Sequence, residues 1–79
     1  MKNAGFEITS MEHVPYEEGI EGVALGVKEG AFGTEYATWQ FTRRPSEDHS
    51  FFWGHYFIEE KAARIDYHKR AMRLYGGEV

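Results

Sequence analysis

The sequence predicts an α+β fold: a four-stranded antiparallel meander sheet with one C-terminal amphipathic helix packed on one face, in the order β-β-β-β-α. Three observations carry this reading. Up to residue 57 apolar residues recur with period two between glycine- and proline-containing breaks, and after residue 57 they recur at helical spacing. No helical stretch separates the strands, so no crossover is available and neighbouring strands must pair antiparallel.

The first strand is "GFEITSM", where Phe6 and Ile8 alternate with Glu7 and Thr9. "HVPYEEG" reads as a turn, because Pro15 and Gly19 flank an acidic pair. In "IEGVALGVKEG", Val23, Leu25 and Val27 form one face, and Gly22, Ala24, Gly26 and Lys28 form the other. Small residues along one side of a strand are expected where something packs closely. "EGAFGTE" suits a hairpin connection longer than two residues. "YATWQFTRR" is rich in the aromatic and β-branched residues that strands favour. "RPSEDHS" is a polar loop with Pro45.

"FFWGHYF" is the fourth strand, apolar on both sides, so both faces are covered or one is an interface. Alternation sets Phe51, Trp53, His55 and Phe57 against Phe52, Gly54 and Tyr56, and leaves open which set meets the helix. Ile58, Ala62, Ile65, His68, Met72 and Tyr75 then follow at the spacing of one helix face, widened by Tyr67, Ala71 and Leu74. Acidic Glu59 and Glu60 at the start, and Lys69, Arg70 and Arg73 near the end, complement the helix dipole. Gly76 and Gly77 terminate the helix. Gly54 is expected to let the helix approach the last strand.

The 79 residues form a single domain (1–79), near the lower size limit for a self-sufficient core. Thirteen aromatics, six Phe, five Tyr and two Trp, supply much of the burial such a chain needs. A monomer is expected, or a homodimer. With no cysteine there are no disulfides, thiolate nucleophiles or thiolate metal sites, which favours a reducing compartment. No segment reaches the roughly 18 apolar residues of a membrane span, and "MKNAGFEITS" lacks a signal-peptide core. A soluble cytoplasmic protein is the expectation.

Net charge is −4, unevenly distributed. Residues 1–50 carry nine acids against four bases, and residues 51–79 carry four acids against five. An acidic sheet region therefore precedes a mildly basic helix.

Few constellations point to chemistry. His49, His55 and His68 fall on a loop, a strand and a helix with no metal-ligand spacing, so neither a metal nor another cofactor is expected. His55 with Asp66 could meet if strand and helix pack face to face. The plainer reading is a partnered histidine at the core rim, since so short a chain rarely encloses a pocket. An enzyme is not expected. The glycines of "GVALGVKEGAFG" match no phosphate loop. A nucleic-acid surface would use Arg64, Lys69, Arg70 and Arg73, with an exposed aromatic for stacking. The acidic balance argues against it, because phosphate contacts dominate such affinity.

The preferred function is a small non-enzymatic protein-interaction or regulatory module. Trp39, Trp53 and Tyr56 are its candidate apolar contacts, and Glu17, Glu18, Glu21 and Glu29 its acidic contribution, with another protein as partner. The alternative is a nucleic-acid-binding module on the basic helix face.

Thr38, Trp39 and Gln40, then Trp53, Gly54, His55, Tyr56 and Phe57, then Asp66, Tyr67 and Arg70 form a pattern T-W-Q, F-W-G-H-Y-F and D-Y-x-x-R. In this the chain resembles short uncharacterised proteins carried by integrative and conjugative elements of Firmicutes-type bacteria. The resemblance spans about residues 36–73 and implies a bacterial cytosolic setting and mobile-element carriage. It implies no activity and no catalytic residues.

Overall fold

The computed structural model describes residues 2–13, 22–43 and 49–76. It is an antiparallel sheet of five strands in sequential order, with one helix across one face. The strands are β1 (Lys2–Asn3), β2 (Phe6–His13), β3 (Gly22–Gly30), β4 (Gly33–Arg43) and β5 (His49–Phe57), and the helix is α1 (Glu60–Gly76). The expected turn at Pro15 and Gly19, the Pro45 loop and Gly77 lie outside the described residues.

The fold class is as the sequence predicts, with one more strand. Lys2 and Asn3 pair with Glu7 and Phe6 through a two-residue turn at Ala4 and Gly5, whose φ values are +52° and +86°. Two consecutive positive φ angles are the signature of the turn whose twist matches a hairpin, and glycine at the second position makes it accessible. A two-residue strand is too short to leave any periodicity. The β3–β4 hairpin is also tighter than expected. Gly30 pairs with Gly33, which leaves only Ala31 and Phe32 at the tip.

Two apolar clusters lie on opposite faces of the sheet. On the helix side, Val23 and Leu25 of β3 meet Ala63, Tyr67 and Ala71 of α1, with Tyr36 and Phe57 against them. On the other side, Phe6, Trp39 and Phe41 cover Ala24 and Ala37, joined by Ile8, Met11 and Phe51. Among the described residues no helix covers this second face. Its aromatics are buried because they lie over the small residues of neighbouring strands and meet one another edge-on, Phe6 to Trp39 at 5.4 Å and Trp39 to Phe51 at 5.8 Å between ring centroids. The small-residue face of β3 is thus occupied by the sheet's own aromatics.

The helix is rotated relative to the periodicity reading. Ala63, Tyr67, Arg70 and Ala71 face the sheet and are buried, whereas Ile58, Ile65, His68 and Met72 are exposed, Met72 at 69 %. Ala62 is half-buried; the side chains of Leu74 and Tyr75 lie outside the described residues. The physical reason is division of bulk. The sheet supplies the large groups Val23, Leu25, Tyr36 and Phe57, so the helix brings alanines that allow close approach. Of the predicted stripe, Ile58, Ile65, His68 and Met72 are exposed, whereas its widening residues Tyr67 and Ala71 are among the buried ones.

A β-bulge decides the faces of β5. The β4–β5 register slips between Thr38 and Gln40, opposite Trp53, which has φ +56°. Phe52 pairs with Gln40 before the bulge, and His55 pairs with Thr38 after it. Phe57 reaches the helix-side cluster, while Phe51 joins the aromatic face. Strict alternation would have put Phe51 and Phe57 together. Gly54 serves the aromatic face, not the helix. A Cβ there would lie 2.8 Å from Trp39 Nε1 and 2.6 Å from the Tyr56 hydroxyl.

Among the described residues no helix is long and apolar enough to cross a membrane.

Candidate functional site

Between the sheet and the helix lies a polar cluster. Thr38 and His55 face each other on β4 and β5, and Asp66 and Arg70, one turn apart on α1, descend onto them. Thr38 is fully buried and donates its hydroxyl to Asp66 Oδ2 at 2.6 Å. His55 Nδ1 lies 2.9 Å from the same oxygen. A carboxylate only accepts, so Nδ1 carries the proton and Nε2 is left as the second ring position. The His55 side chain is half exposed. It is the carboxylate-partnered rim histidine that the sequence suggested.

Arg70 is 7 % exposed and acts as a cross-brace. Nη1 donates to the Thr38 hydroxyl at 3.0 Å and to the Thr38 carbonyl at 3.2 Å, and Nη2 donates to the Trp53 carbonyl at 2.7 Å. It ties the helix to both central and edge strands at the bulge. Asp66 Oδ2 lies 3.9 Å from Nη1, which adds charge complementarity.

Partial burial alone would push the Asp66 carboxyl up. The hydrogen bonds from Thr38 and His55 and the charges of His55 and Arg70 together outweigh it, so the carboxyl sits below its ordinary value. Burial lowers the Arg70 guanidinium, with Asp66 opposing the shift and Arg73 adding to it.

The cluster opens on a depression of about 410 Å³ lined by Gln40, Trp53, His55, Asp66, Lys69, Arg70 and Arg73. Trp53 is 66 % exposed at its rim. Gln40 Oε1 is buried and has no hydrogen-bond partner. A carboxylate-oriented imidazole is the geometry of a positioned base. Among the described residues no group of three or more His, Asp or Glu side chains is arranged to hold a metal ion.

A second feature is apolar. A groove of about 1000 Å³ runs from the β3–β4 hairpin tip to the start of α1, lined by Phe32, Tyr56, Phe57, Ile58 and Ala62 with Glu35 and Glu59 among them. Phe32 is fully exposed and Ile58 is 83 % exposed. The sequence reading did not single out Phe32, and it placed the exposed Ile58 on the helix face expected to be buried. "GAFG" held a signal for Phe32, since a side chain at the tip of a two-residue hairpin has nothing to cover it.

The sequence-selected residues scatter. Trp39 is only 3 % exposed, so it belongs to the core and not to a contact surface. Trp53 and Tyr56 are exposed, but Trp53 borders the polar depression and Tyr56 the apolar groove. Glu29 is exposed and accepts the Thr34 hydroxyl. Glu17, Glu18 and Glu21 lie outside the described residues. Of the basic set, Arg70 is buried, Arg64 is paired with Glu60 at 2.9 Å, and Lys69 and Arg73 line the depression.

No protein-family model matches the chain, and neither does any curated protein or solved structure.

Proposed function

We propose that this protein is a small non-enzymatic protein-interaction module, and that its contact surface is the groove between the hairpin tip and the helix start. The observation that carries this is the exposure of Phe32, Tyr56 and Ile58 around one concavity. A fully exposed Phe on a tight turn gains nothing for the monomer, and grouped large apolar side chains mark contact sites. Glu35 and Glu59 among them are acidic, and Glu29 lies two residues from the tip, so the surface suits a partner offering apolar and basic groups. Ile65 and Met72 extend the exposed apolar surface along the outer helix face. Cytoplasmic residence, carriage by a bacterial mobile element and modulation of a host or element protein complete the proposal.

The test is affinity capture from a bacterial lysate with the wild type, a Phe32→Ser/Ile58→Ser variant and a Glu29→Lys/Glu35→Lys variant. Each is checked for unchanged folding by circular dichroism. A specific protein should be retained by the wild type and lost from both variants. Equal retention by the Phe32→Ser/Ile58→Ser variant refutes the groove as the contact.

A further inference from the structure

The polar depression shares no lining residue with the proposed interaction groove, and two features of it ask for a ligand. The first is Trp53. A bulky residue at φ +56° is a backbone outlier, and such strain concentrates where a side chain must be aimed. Here it leaves the indole two-thirds exposed beside the depression; Phe52, at 4.9 Å and 77°, steadies the ring without stacking parallel to it. The second is charge. Lys69, Arg70 and Arg73 line the depression against one acid, Asp66, in a chain whose net charge is −4. Asp66 Oδ2 is already engaged by Thr38 and His55, and Arg70 donates to Thr38 and Trp53. Lys69 is exposed at the outer side of this cluster.

We infer that the depression binds a nucleotide, with the base stacked on Trp53 and the phosphate held by Lys69. Stacking on an exposed aromatic beside cations is the general mode for unpaired bases. The volume of about 410 Å³ fits one such unit. This replaces the broad basic helix face suggested by sequence with a compact site, from which Arg64 is absent and in which Arg70 is structural. The nucleotide can be free or part of a single strand, and the two sources are separable.

The full-length chain is titrated with adenosine and uridine monophosphates, with a six-nucleotide single-stranded DNA and with inorganic phosphate, followed by amide chemical shifts. Shifts are expected at Gln40, Trp53, His55, Lys69, Arg70 and Arg73. Trp53→Gly and Lys69→Gln should each weaken binding about tenfold, the scale of one stacked base or one lost phosphate contact. Phe32→Ser should leave it unchanged. Binding of the monophosphates as tight as that of the oligonucleotide assigns a free nucleotide. Binding of the oligonucleotide alone, weakening as salt rises, assigns a strand. The proposal is overturned if no nucleotide binds at millimolar concentration. It is equally overturned if inorganic phosphate binds as tightly as the monophosphates, or if folded Trp53→Gly and Lys69→Gln proteins bind like the wild type.

Discussion

Replacing Arg70 by methionine separates a buried brace from an ordinary helix cation. Methionine keeps an apolar stem of similar reach but removes three donated hydrogen bonds, to the Thr38 carbonyl, the Thr38 hydroxyl and the Trp53 carbonyl. Hydrogen bonds from a charged group contribute about 1.5–3 kcal/mol each, and removing one member of a buried pair costs about 3–5 kcal/mol. Asp66 keeps a quarter of its side-chain surface in water, which moderates the loss of its partner. The expected cost is about 3 kcal/mol, at the lower end of the buried-pair range. A chain of 79 residues has roughly 4–12 kcal/mol in total, so the variant should remain folded but fragile. In urea, with a slope of about 1 kcal/mol/M, the midpoint should fall by about 3 M. Lys69→Met, one position earlier and exposed, should shift stability by no more than about 0.5 kcal/mol. A double-mutant cycle with Thr38→Val should return coupling of about 1 kcal/mol. If Arg70→Met and Lys69→Met are equally mild, the brace contributes nothing and the account of the cluster is wrong.

Three further outcomes follow from the same geometry. Asp66 has a folded-state pKa below its unfolded value, so its contribution is present above about pH 4, the unfolded carboxylate range, and is lost as pH falls through the folded value. Thermal unfolding of Asp66→Asn should show a shallower acid limb below about pH 4 than the wild type, and an identical slope would contradict the pairing. The two tryptophans should behave oppositely. Trp39→Ala should cost about 3–5 kcal/mol in urea unfolding, whereas Trp53→Gly, which relieves φ +56° and removes an exposed ring, should change stability by less than about 1 kcal/mol. Gly54→Ala should lose roughly 1–3 kcal/mol in the same assay, because the new methyl group meets Trp39 Nε1 and the Tyr56 hydroxyl on the aromatic face.

Much of the fold was legible in local pattern, and much of the site was not. The meander, the helix and the strand identity of "YATWQFT" follow from period and composition, properties carried by each segment alone. His55 and Asp66 could be named because the strand-to-helix order places them near each other. Their partner Thr38 is 28 residues from Asp66, and Arg70 reaches 32 residues back to Thr38, so their meeting depends on sheet register. That register contains a slip opposite Trp53 that alternation does not reveal.

The sequence by itself determined the alternation of strands, their antiparallel order and the single terminal helix. These are set by side-chain period and by the absence of any crossover segment. Tertiary structure alone decided which helix face is inward, because burial depends on what the opposing sheet already fills. It also decided that Trp39 is core, packed in the aromatic cluster with Phe6 and Phe51, while Trp53 is surface, where a bulge breaks the alternation of β5.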